Sequence, residues 1–199
     1  MLPTLLWIAV LGVLALAAWI VVRRMAALAR RTRGLEQFQR DIAEIDVRMA
    51  ALLGPLVMRL DDLRRLTGDP SAVASDLGPA SATLEELAAV ARGTRPPAPL
   101  AQRAGTVVAE LERALRALDL LDHGLRTALE GRRDTGAEAG VALKRGTLNL
   151  RHSRDAVGRV AAEIAAIRPA DLLRMPGGDR FEKVALPSPI SFADADDES

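Results

Sequence analysis

The sequence predicts an all-α protein: one N-terminal transmembrane helix, an antiparallel bundle of three to four coiled-coil-like helices, and a disordered C-terminal tail. Three observations carry this. Residues 2–22 form a nearly unbroken apolar run, the stretches after residue 34 repeat their apolar residues at intervals of three and four, and the repeat stops at Arg168-Pro169. No alternation of apolar and polar residues is long enough to suggest a strand.

At a rise of about 1.5 Å per residue, residues 2–22 reach roughly the 30 Å of a hydrocarbon core. Thr4 is the one polar interruption, Gly12 a flexible point, and Pro3 sits in the first turn, where its missing N–H is not needed. Trp7 and Trp19 lie about 18 Å apart along such a helix, so that a headgroup layer is within reach of an indole. Five arginines follow with no acid among them: Arg23, Arg24, Arg30, Arg31 and Arg33. The positive-inside rule then places the N-terminus outside and the C-terminal part in the cytoplasm, at the inner (plasma) membrane, with the arginines on anionic headgroups of the lipid bilayer. Ala15-Leu16-Ala17 resembles a signal-peptide cleavage site, but no cation precedes the run and it continues through Val22, which favours an uncleaved anchor. The expected divisions are an anchor at 1–22, a basic juxtamembrane segment at 23–34, a helical domain at 35–168 and a tail at 169–199.

In the helical domain, Leu35, Phe38, Ile42, Ile45, Met49, Leu52 and Leu56 make a heptad seam, continued by Leu60 and Leu63 after a stutter. Gly54-Pro55 falls at that stutter and predicts a kink, since proline removes a helical hydrogen bond. Thr67-Gly68-Asp69-Pro70 reads as a helix terminator, an N-cap and a first-turn proline. The second segment, about 70–92, has a narrower face of Leu77, Leu84, Leu87 and Val90 and is expected to break at Gly78-Pro79. Residues 93–99 contain three prolines and read as a stiff, partly polyproline linker.

The third segment, about 100–130, places Ala104, Val107, Leu111, Ala114, Leu118, Leu121, Leu125 and Ala128 at heptad spacing, widened by Val108, Leu115 and Leu129. Residues 131–136 form a turn. The fourth, about 137–167, aligns Ala139, Leu143, Gly146, Leu150, Ser153, Val157, Val160, Ile164 and Ile167. Short connections between long amphipathic helices favour an up-down bundle, with self-association in trans as the alternative use of the same seams. Gly124, Gly140, Gly146 and Gly158 each cost about 1 kcal/mol against alanine, which predicts a fourth helix prone to local opening. Beyond Pro169 the apolar residues are scattered. Phe181, Leu186, Ile190 and Phe192 stand out as a partner-docking motif, because the whole chain has only three phenylalanines.

Composition excludes several classes. The net charge is +1, which gives no support to nucleic-acid binding, and the sign segregates: basic after the anchor, four acids in residues 194–199. Cysteine is absent, ruling out disulfides, thiolate metal sites and cysteine nucleophiles. Tyrosine is absent too, so stacking platforms are scarce. The two histidines, His123 and His152, fall on different helices, and no phosphate loop, nucleophile elbow or HExxH is present. No catalytic, cofactor or metal site is expected.

One local pattern points to a chemistry. His123-Gly124-Leu125-Arg126-Thr127 resembles the His-x-Leu-Lys-Gly signature of histidine phosphotransfer domains, which are four-helix bundles with an exposed phosphoacceptor histidine. The resemblance implies that His123 accepts phosphate, with Arg126 where the family has lysine. Thr127 departs from the family's glycine. The layout as a whole is similar to that of bacterial membrane-anchored coiled-coil proteins, including cell-division regulators with spectrin-like helices. The expected function is therefore that of a non-enzymatic scaffold or adaptor binding partner proteins through bundle or tail.

Overall fold

The computed structural model describes residues 2–65, 67–130 and 136–172; of residues 2–11, 13, 15, 27 and 28 it describes the backbone alone. The described residues are all helical apart from connections. Helix α1 spans Leu2–Arg64, α2 Pro70–Gly93, α3 Ala101–Leu129, α4 Gly136–Ala165 and α5 Pro169–Leu172, with a 3₁₀ turn at Ala98–Leu100.

Helix α1 packs on α2 and α4, α2 on α3, and α3 on α4, so four helices close a ring around one core. Cross-contacts fix the directions. Arg48 and Arg59 of α1 pair with Glu86 and Asp76 of α2, while Gln39 and Asp61 of α1 meet Ile164 and Arg151 of α4; in both pairs the numbers run in opposite senses. Gly124 lies against Ala142 and Gly146 against Leu121, so α3 and α4 are antiparallel as well. The up-down bundle expected from the short connections is what forms.

The apolar N-terminal run is not a separate element. It is the start of a 63-residue helix that continues without interruption through the arginines and into the bundle. Among the described residues no helix is long and apolar enough to cross a membrane. The expected transmembrane anchor at 1–22 and the single-pass, N-out inner-membrane placement are corrected accordingly. The side chains described there, including Leu14, Leu16, Trp19, Ile20, Val21, Val22 and Met25, are exposed.

The α1 seam differs from the heptad reading by one position. Leu35, Phe38, Ile42, Ile45 and Met49 are buried as expected, but Leu53 follows Met49 into the core and Leu52 is only half-buried. The 4-4 stutter therefore runs over Ile45, Met49 and Leu53 and ends just before Gly54-Pro55, and Leu56, Val57 and Leu60 continue from it. Helix α1 runs through Pro55, and α2 runs through Gly78-Pro79 instead of breaking. Both prolines are exposed, as are Ala51 and Ser75, whose carbonyls each proline leaves without a helical donor. Water can satisfy those carbonyls, and in α2 the flanking Leu77 and Ala80 are buried on the opposite side. Packing on the inner face overrides the local breaker. Val90, assigned to the α2 core face by spacing, is instead exposed, and Val73, Ala80, Ala88 and Ala91 complete that face.

Helix ends follow their local chemistry. Asp69 caps α2 by accepting from the Ser71 amide at 2.9 Å and its hydroxyl at 2.7 Å, with Pro70 opening the first turn. Those two bonds, the side-chain one first, hold the Asp69 carboxyl below its ordinary value of 3.8. Gly68 is sterically required, because a Cβ there would lie 2.9 Å from the Leu63 amide nitrogen. Thr94 and Pro97 hold extended, polyproline-like dihedrals, as the linker composition predicts. The end of α4 is capped from outside: the Gln39 side-chain amide donates to the carbonyls of Ile164 and Ile167, both at 2.9 Å. The expected tail begins one turn late, since α5 packs on α1 and buries Leu172.

Candidate functional site

Helix α4 meets its two neighbours differently, and the difference creates a cleft. Toward α3 it presents Ala139, Ala142 and Gly146, small residues that let the backbones approach. A Cβ on Gly146 would lie 2.6 Å from Leu121 Cγ and 3.1 Å from the Ala117 carbonyl oxygen; one on Gly124 would lie 3.0 Å from Ala142 Cβ. Toward α1 the same helix presents Gly140, Leu143 and Thr147, about 100° further round per residue step. There it faces Leu60, Leu63 and Arg64 across a cleft of about 260 Å³. A Cβ on Gly140 would meet nothing within 4 Å.

The cleft is apolar at its base and charged at its rim. Leu60 is buried and Leu63 and Leu143 are half-buried, while the Thr147 hydroxyl is turned away, donating to the Leu143 carbonyl at 2.8 Å. Arg64 reaches Asp61 at 3.9 Å, and Asp61 also pairs with Arg151 across the α1–α4 seam. Arg65, Lys144 and Arg145 are exposed at the same end, Lys144 one turn from both Gly140 and Thr147. Of these charged groups Arg64 is the one that lines the cleft.

The residues singled out from sequence do not converge on this cleft. Trp19 is exposed, with the Arg23 guanidinium 5.1 Å from its ring centroid, a cation–π contact along one helix turn. Arg24, Arg30 and Arg33 are exposed and Arg31 half-buried; the Trp7 side chain lies outside the described residues. His123 is exposed on the outer face of α3, as its heptad position requires, and Gly124 beneath it is buried against α4. Thr127 donates its hydroxyl to the His123 carbonyl at 2.9 Å. His152 is exposed on α4. Phe181, Leu186, Ile190 and Phe192 lie outside the described residues. Among the described residues no three histidine, aspartate or glutamate side chains gather closely enough to hold a metal ion.

Sequence reasoning missed the cleft. Leu63 and Leu143 appeared as ordinary seam positions, and Gly140 shares its open surroundings with Gly34, Gly54, Gly78 and Gly105, so it gave no distinct signal. Glu110, Thr147 and Ser153 are buried polar groups, of which the heptad stripe had placed Ser153 alone on the core face. Glu110 is buried on α3, with Arg113 donating to both carboxylate oxygens at 3.0 and 3.1 Å. The Ser153 hydroxyl, fully buried, has no hydrogen-bond partner. No protein-family model, curated protein or solved structure matches the chain.

Proposed function

We propose that this chain is a non-catalytic helical scaffold or adaptor that binds a partner protein through its bundle, at the α1–α4 cleft. The observation that carries this reading is the cleft itself: an apolar base of Leu60, Leu63 and Leu143 left open between α1 and α4. An extended or helical segment with one or two large apolar side chains fits such a base. Proximity labelling in the native cell tests it, comparing the full chain with Gly140→Leu, which fills the cleft without displacing backbone. A defined partner set lost in the variant supports the reading; an identical set from both sinks it.

A second reading is favoured by the exposure of His123 on a four-helix bundle, the arrangement that the phosphotransfer resemblance implies. It requires acid-labile phosphate on the wild type beside a working histidine kinase and none on His123→Ala. A third use of the chain, self-assembly, is suggested by the exposed apolar side chains from Leu14 to Met25. Concentration-dependent sedimentation of the full chain, abolished by Val21→Asp, would support it, and a strict monomer would remove it.

A further inference from the structure

We propose that the outward face of α1 is an interface between two copies of this chain, laid antiparallel about a two-fold axis at residue 38. This rests on the self-assembly reading and adds its surface, direction and register. Val22, Met25, Val47 and Met58 are the four most exposed large apolar side chains among the described residues, at 66, 63, 66 and 63 %. All four fall on one stripe of α1, on the far side from the core face of Leu35, Phe38 and Ile42. From Ala18 to Met58 the stripe advances by threes and fours, forty residues in eleven steps. That is about the 3.6 residues per turn of an unstrained helix, so the stripe stays on one face along its whole length.

Charge selects the second copy and its direction. Glu36 and Arg40, one turn apart and both exposed, are the charged positions at the middle of the stripe. Among the described residues Glu36 pairs with no cation and Arg40 with no carboxylate; the Arg40 guanidinium donates to the neutral Gln37 side chain at 2.8 Å. A two-fold axis at residue 38 sets opposite each other the positions whose numbers sum to 76. Glu36 of each copy then faces Arg40 of the other, and the exposed Arg33 falls beside Glu44 of the other. The same register matches size: Met58 meets Ala18, Val22 meets Gly54, Met25 meets Ala51 and Val47 meets Ala29. A Cβ on Gly54 would touch nothing within 4 Å, so the space for Val22 is there. In a parallel pair every position faces itself, glutamate against glutamate and arginine against arginine, which opposes association.

The absence of cysteine makes the register readable by disulfide trapping in the full chain. Ala29 and Val47 are exposed, and folding of the variants is checked by circular dichroism. In the proposed dimer the two copies of either position lie about 27 Å apart along the helix, while position 29 of one copy faces position 47 of the other. Under mild oxidation, Ala29→Cys with Val47→Cys in one chain should give a covalent dimer at least tenfold faster than either single variant. In sedimentation, Glu36→Arg should weaken dimerisation at least tenfold, and adding Arg40→Glu should restore it. Single variants that cross-link as fast as the double one would mark a parallel pair and overturn the proposal while leaving self-assembly standing. So would a dimer that forms none of these disulfides or ignores the charge reversals. A strict monomer, free or carried on phosphatidylcholine vesicles in flotation, would overturn both.

Discussion

The α3–α4 and α1–α4 interfaces share one helix and are built on opposite principles. Against α3, α4 offers alanine and glycine, the backbones close in, and Leu121 fills the space over Gly146. Against α1 the helices are held by longer groups: the Asp61–Arg151 ion pair and the Gln39 bonds at the far end, with a cleft left near Leu63. Close packing of small residues yields dispersion contact over the whole seam and no room for a ligand. The polar ties of the α1–α4 seam fix geometry beside an apolar core that both helices share, and exposed ion pairs add little stability of their own. Unfilled space therefore belongs to the seam that is packed less completely.

The largest effect that would break this contrast is at Gly146. Gly146→Ala should destabilise by about 1–3 kcal/mol in denaturant melts, because overpacking against Leu121 outweighs the better helix propensity of alanine. A neutral or stabilising result would mean that α3 and α4 are not so close. Ser153→Ala comes next and carries the opposite sign. It removes a buried hydroxyl without a partner and should stabilise by about 1 kcal/mol; a loss of stability would show that the hydroxyl is in fact satisfied. At Gly140, six residues before Gly146 on the same helix, alanine meets open space and should stabilise by up to about 1 kcal/mol. Opposite signs for Gly146→Ala and Gly140→Ala would separate the two seams most sharply.

The smallest effect lies outside both seams. The folded-state pKa of Asp69 is depressed by its bonds from Ser71, so its capping contribution is complete above the ordinary carboxyl range and is lost as pH falls through the lowered value. Asp69→Ala should therefore lose stability at neutral pH, and the gap to wild type should close on acidification. A gap that persists unchanged at low pH would assign the effect to something other than the carboxylate.

How much of this was legible in the sequence depends on whether a signal is local. The Asp69-Pro70 cap, the α3 stripe from Ala104 to Leu125 and the antiparallel order followed from residue types and connection lengths alone. Gly78-Pro79 misled because its effect depends on which side of the helix the proline lies, and outside the core it is tolerated. Leu52 and Leu53 are equivalent in composition, and only the partners of α1 choose between them. The four interior glycines looked alike as helix-weakening residues, yet Gly146 and Gly124 are needed for close approach and Gly140 is not. That distinction resides in Leu121 and Ala142, on other turns of chain, and the cleft, being a gap between helices, has no residue of its own to announce it.

The bond from Gln39 to the end of α4 has a consequence for how the protein is made. It joins residues 125 and 128 positions apart. At about 5–20 residues per second, a ribosome needs on the order of 6–25 s to cover that interval. Through it, the nascent first helix carries Phe38, Ile42 and Ile45 with the fourth wall of their enclosure still unwritten. The glutamine waits for carbonyls that do not yet exist, and its closure marks the moment when the ring is complete. Chains arrested before Ile164 should be cut by protease along α1, and chains released a few residues later should resist.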